Sequence, residues 1–135
     1  MKWPPTDLKI LQEVYRRYYP LFVEYSRETP NRASKVYVPI NIRELAEAFG
    51  VDADIIFGRL YYHLEPKYGF TQEDNTKVPF FTLQAGADRN VVHFPLLATV
   101  IAELREERKK HIIATWLSIA ALIVSAISVG ISLSK

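Results

Sequence analysis

The residues able to do chemistry are few and widely spaced. The chain has three histidines, His63, His93 and His111, and they fall on a predicted helix, a predicted strand and the edge of an apolar run. No two share the spacing of a metal site. Asp52 and Asp54 stand two apart and would suit an acid–base pair or a cation, yet Asp52 is equally accounted for as a helix cap. Glu107 and His111 lie one helical turn apart, where a pH-sensitive contact or plain solvated charge can result. The chain has no cysteine, which excludes disulfides, thiolate zinc sites and cysteine nucleophiles. Its five glycines form no phosphate-binding loop. We therefore expect no enzyme, no cofactor and no metal. What remains is a row of serine hydroxyls in an apolar segment, and their chemistry is association.

Those serines lie in the run from Ile112 to Ser134, 23 residues without a charge or a proline. As a helix the run covers about 34 Å, enough for a hydrocarbon core of about 30 Å. Every Asp, Glu, Lys and Arg except Lys135 precedes residue 112. Arg105, Arg108, Lys109 and Lys110 stand immediately before the run and Lys135 alone follows it. By the positive-inside rule this excess puts the N-terminal part on the cytoplasmic side. The expectation is a C-terminally anchored single-pass protein in the lipid bilayer, without a cleaved leader and with almost nothing beyond the membrane.

Stepping alternately three and four residues from Leu97 gives Leu97, Val100, Leu104, Glu107, His111, Ala114, Ser118, Ala121, Ser125, Ser128 and Ser132. From Ala114 onward every position on this seam is Ala or Ser, while Ile, Leu, Val and Trp116 point elsewhere. Small residues let helix backbones approach closely in lipid, where packing and hydroxyl hydrogen bonds replace the hydrophobic drive. The seam Ala114, Ser118, Ala121, Ser125, Ser128 and Ser132 is thus read as the face of a homo-oligomer or of a pairing with a partner's membrane helix. A Ser-lined pore is the alternative use of the same hydroxyls.

The elements that carry the rest follow from periodicity and caps. Thr6 and Asp7 can open a helix that Pro20 should kink or divide. A loop from Arg27 to Lys35 leads to a short edge strand, Val36 to Ile40. Asn41 and Glu44 resemble a capping box opening a helix that Gly50 ends. Asp52 caps a further helix with Ile56, Leu60 and Leu64 on its core side, and on it one of Tyr61 and Tyr62 should be core and the other surface. After a polar loop around Glu73, Asp74 and Asn75, Val78 to Leu83 and Val91 to Phe94 read as a hairpin joined by Gln84 to Asn90. The fold class is α+β: helix, strand, helix, helix and hairpin in residues 1–94, a juxtamembrane amphipathic helix in 95–111, and a transmembrane helix in 112–134.

The stretch Asn41-Ile42-Arg43-Glu44-Leu45-Ala46-Glu47-Ala48-Phe49-Gly50-Val51-Asp52 resembles the helix-turn opening of winged helix-turn-helix regulators. The resemblance implies a recognition helix whose exposed start would enter the DNA major groove. Here that start carries Asp52 and Asp54, two carboxylates facing phosphate, with Arg59 the first basic residue and Arg89 at the wing tip. The soluble part has 16 basic against 15 acidic residues, which also argues against a nucleic-acid-coating role.

Aromatic residues make up 13% of the chain, more than helix stripes in so small a domain can bury, so some must be exposed as at recognition surfaces. The sequence therefore points to a membrane-tethered winged helix protein acting in protein–protein interaction or regulation, with a cytosolic protein partner and a self-associating membrane helix. Phe57, Arg59 and Tyr62 are the candidate partner contacts. Two alternatives stand beside it: a membrane-bound DNA-binding regulator using Arg59 and Arg89, and a membrane-active, toxin-like effector assembling through its Ser-rich helix.

Overall fold

Thr6 accepts a hydrogen bond from the Lys9 backbone N–H at 3.2 Å and opens α1 (Asp7–Val23) in a computed structural model that describes residues 2–134. Ile10, Leu11 and Val14 form the buried stripe of this helix. Pro20 does not divide it: the proline removes one N–H from the ladder, but the helix continues to Val23 and closes through Glu24 N–H to the Pro20 carbonyl at 3.2 Å. The carbonyls left over at this end find a donor outside the helix. Arg32 donates to Leu21 O at 2.9 Å, Phe22 O at 3.1 Å and Lys35 O at 2.8 Å, and its guanidinium lies 5.0 Å from the Tyr25 ring centre. Arg32 is the one charged residue among those described that is buried.

After β1 (Tyr37–Pro39), Asn41 caps α2 (Ile42–Phe49) by accepting from Glu44 N–H at 3.1 Å. Gly50, at φ +66°, ends it with N–H bonds back to Ala46 and Glu47 carbonyls, a conformation that favours glycine. Asp52 caps α3 (Ala53–Gly58) by accepting from Asp54 N–H at 2.9 Å. The chain then widens into a π-helical turn, Arg59–Leu64, in which Glu65 N–H reaches the Leu60 carbonyl, before closing as α4 (Glu65–Tyr68). Ile56, Leu60 and Leu64 are buried along this composite helix, as the spacing predicts.

The stretch from Gly69 to Val78 is more ordered than the polar loop expected there: β2 (Phe70–Thr71) pairs antiparallel with β3 (Lys77–Val78) across a turn with Asn75 at φ +66°. Next come β4 (Phe81–Ala85) and β5 (Asp88–His93), joined through Gly86 at φ +61°. The turn is tighter than the expected Gln84-to-Asn90 connection because Gln84 pairs with Arg89 and Ala85 with Asp88. A side chain at position 86 would also strike Ala33, and Asp88 holds that same loop by accepting from Ala33 N–H at 2.8 Å. The sheet order is β1-β5-β4, all antiparallel.

His93 starts α5 (Phe94–Ser134): its Nδ1 accepts from Leu96 N–H at 3.2 Å, and Pro95 follows in the first turn, where its missing N–H costs nothing. Phe94 stacks on Tyr15 and Phe22, with ring centres 5.4 and 4.8 Å apart. Phe94, Leu97 and Val100 close a core with Phe80, Phe81, Val91, Val92 and Leu45. The chain divides into two units, one ending at Ile101 and the other running from Ala102. The opening turns of α5 therefore belong to the α+β unit. The second unit contains the apolar run; among the described residues α5 is the one helix long and apolar enough to cross a membrane, and no residue of its apolar window is buried.

Candidate functional site

Of the four predicted contact residues in the α+β unit, the structure brings Phe57 and Tyr62 together and sets Arg59 and Arg89 apart from them. Phe57 stacks on Tyr61 at 5.4 Å and meets Tyr62 and the buried Phe81 edge-on at 6.4 and 6.1 Å. Tyr61 and Tyr62 touch edge to face at 4.9 Å. Neither of this pair is core, contrary to the expectation from α-helical spacing: Tyr61 is 37% and Tyr62 72% exposed. Leu60 and Leu64 face inward along the π turn while the two tyrosines between them share the outer surface. Such turns recur at functional sites.

The rings of Tyr61, Tyr62 and Phe81 form one wall of an open groove of about 530 Å³. Pro66, Lys77, Pro79, Thr82 and the half-exposed Leu83 complete it. Glu65, from α4, fixes its floor by accepting from the N–H groups of Phe80 and Phe81 at 2.8 and 2.9 Å. Aromatic rings, one lysine and the Glu65 carboxylate line the groove, so it offers apolar contact and tyrosine hydroxyls to a bound group.

Arg59 points away from this groove, into an ion cluster with the start of α1. Its Nη1 donates to Asp7 Oδ1 at 2.8 Å and to the Pro5 carbonyl at 3.0 Å, and His63 Nε2 lies 3.0 Å from Asp7 Oδ2. Burial of the Asp7 carboxyl opposes its ionisation, but the hydrogen bonds and charges of Arg59 and His63 outweigh it and hold its pKa below the ordinary 3.8. Arg59 therefore ties the N-terminal segment to the composite helix and is not a free contact on the surface. Arg89 is exposed on β5, opposite Gln84, one residue beyond the Ala85–Asp88 pair that closes the hairpin turn. Asp52 and Asp54 are both exposed at the start of α3. Among the described residues no three His, Asp or Glu side chains group as metal ligands.

In the second unit, Ala114, Ser118, Ala121, Ser125, Ser128 and Ser132 are exposed along the helix, as are Arg105, Arg108, Lys109 and Lys110. Among the described residues the hydroxyls of the four seam serines have no partner on another part of the chain, whereas Thr115 donates back to the His111 carbonyl at 3.0 Å. Leu97 and Val100, the first two seam positions, are 0% and 2% exposed and lie in the core of the α+β unit.

Two residues important to this arrangement escaped the reading of the sequence. Arg32 sits in a loop whose composition reads as solvated, and Glu65 follows a helix whose end gives no sign of the strand it meets. No protein family, characterised protein or solved structure matches the chain.

Proposed function

We propose that this chain is a membrane-tethered winged helix protein that works by protein–protein interaction and whose transmembrane helix associates with itself. The observation that carries the reading is the pairing of a folded α+β unit with a run of 23 uncharged residues, none of which is buried. The winged helix assignment rests on the element order together with the sheet order β1-β5-β4, which sets the first strand beside the returning strand of the hairpin. The basic residues from Arg105 to Lys110 support a cytoplasmic location for the α+β unit. Tethering raises the local concentration of that unit for a cytosolic partner or another copy, and Tyr62 and Phe57 offer the aromatic contact.

Protein contact is preferred over DNA contact on electrostatic grounds. The exposed start of α3 presents Asp52 and Asp54, and Arg59 is occupied by Asp7.

Fractionation tests the tether and a binding titration tests the partner class. The full chain should stay in the membrane pellet after alkaline extraction, and a chain ending at position 111 should be soluble. Extraction of the full chain into the soluble fraction would overturn the tether. Duplex DNA should show no salt-sensitive affinity. A salt-sensitive affinity weakened by Arg89→Ala would favour the DNA-binding regulator, and dye leakage from vesicles on adding the full chain would favour the membrane-active effector.

A further inference from the structure

We propose that the segment from Leu104 to His111 binds a second copy of this chain in parallel and in register, with Glu103 of each copy paired to Arg108 of the other. The inference deepens the reading of a self-associating membrane helix and rests on it.

Its upper limit follows from burial. Leu97 and Val100 already lie in the core of their own α+β unit, so they cannot pack against another chain while that unit is folded. Leu104 is the first seam residue in the second unit and the first with exposed surface to offer. An intermolecular seam therefore begins there and continues through Glu107, His111, Ala114 and Ser118.

Register follows from charge. With Leu104 and His111 at the a positions and Glu107 and Ala114 at d, Glu103 and Lys110 fall at g and Arg108 at e. In a parallel pair each g residue meets the e residue five positions further along the other chain, which sets Glu103 against Arg108 twice by symmetry. A slip of one heptad would set Arg108 against Lys110, two like charges. Among the described residues, the ion pair within this segment joins Lys110 to Glu106 at 3.6 Å, and Glu103, Glu107 and Arg108 have none. The charges that the parallel pairing would use are the ones left unpaired in the single chain. Glu107, a polar residue at a seam position, lowers stability while penalising other registers.

The absence of cysteine allows a direct test in the full chain. Single cysteines replacing each residue from 103 to 118, in membranes under oxidising conditions, should give disulfide-linked dimers that peak at 104, 107, 111, 114 and 118 and fall at 105, 109 and 112. Glu103→Arg and Arg108→Glu should each weaken dimerisation in nanodiscs by roughly tenfold, and the double exchange should restore it. Cross-links at 114 and 118 without those at 104, 107 and 111, or no rescue by the double exchange, would overturn this pairing and leave the self-associating membrane helix standing. Cross-links at no position would overturn both. An Arg108→Glu effect present only with anionic lipid, and not rescued, would assign Arg108 to headgroups and overturn the pairing. All of these positions but the partly covered Leu104 are exposed, and an unchanged thermal unfolding curve shows that the α+β unit is intact in each variant.

Discussion

The two units of this chain handle the same side chains in opposite ways. In the α+β unit, Ile10, Leu45, Ile56, Phe80 and Leu97 are fully covered. In the second unit, Leu117, Leu122, Ile123 and Leu133 are 55–81% exposed, and no charge interrupts them. Both patterns occur within α5, a single run of helix from Phe94 to Ser134. The lesson is that helix formation says little about the solvent a helix meets. That is decided by whether polar residues are present, as they are on every side from Arg105 to His111, or are absent all round. Ser and Ala then change meaning: on a water-soluble helix they mark indifference, and in an apolar run they are the positions where another backbone can come close.

The largest predicted effect separates the units by one kind of substitution. Leu97→Ala should destabilise the α+β unit by about 2–5 kcal/mol in thermal or denaturant unfolding, whereas Leu117→Ala should leave that transition unchanged. Equal effects would remove the distinction. Next comes Arg32→Ala, which strips the donors from Leu21, Phe22 and Lys35 carbonyls and should cost about 1–3 kcal/mol by the same measurement.

A smaller effect is a pH dependence carried by His93. Burial holds the His93 imidazole below its ordinary 6.5, with a backbone hydrogen bond acting the other way. Below 6.5 the unfolded chain therefore binds more protons than the folded one, so stability is fully present above that pH and declines as pH falls. Protonation at Nδ1 also removes the acceptor for Leu96 N–H. Substituting Asn at this position keeps a cap that does not titrate, and urea unfolding across this range should lose part of its slope. Asp7 acts at lower pH with the same sign: its carboxylate pKa is depressed, so its contribution is present above 3.8 and is lost as pH falls through the lower folded value. Tyr62→Ala comes last. The ring is 72% exposed, and its removal should change stability by no more than about 0.5 kcal/mol while weakening partner binding.

What the sequence made legible was local or periodic. The caps at Thr6, Asn41 and Asp52, the glycine stop at Gly50 and the core positions Ile56, Leu60 and Leu64 need only near neighbours or helical spacing, and the structure places them so. The apolar run is a matter of composition. What stayed hidden depends on partners far along the chain. Arg59 looked free because Asp7, 52 residues earlier, is invisible to a local reading. Arg32 looked solvated because the carbonyls it satisfies belong to a helix already ended. Tyr61 and Tyr62 both lie outside the Leu60 and Leu64 stripe, and how far each is covered depends on what packs against the helix, which spacing does not show. The short β2–β3 ladder has two residues per strand, too few for alternation to show. Leu97 and Val100 share a heptad with the serine seam, and only burial reveals that the seam divides between two tasks.

The central claim, that the small-residue face of the membrane helix is an interface, is tested most directly by the oligomeric state of the full chain in nanodiscs beside a variant with Ser118, Ser125 and Ser132 changed to Leu. The account predicts an oligomer for the wild type and a monomer for the variant, with unchanged unfolding of the α+β unit in both. A wild-type monomer, or a variant that associates as well as wild type, would contradict it.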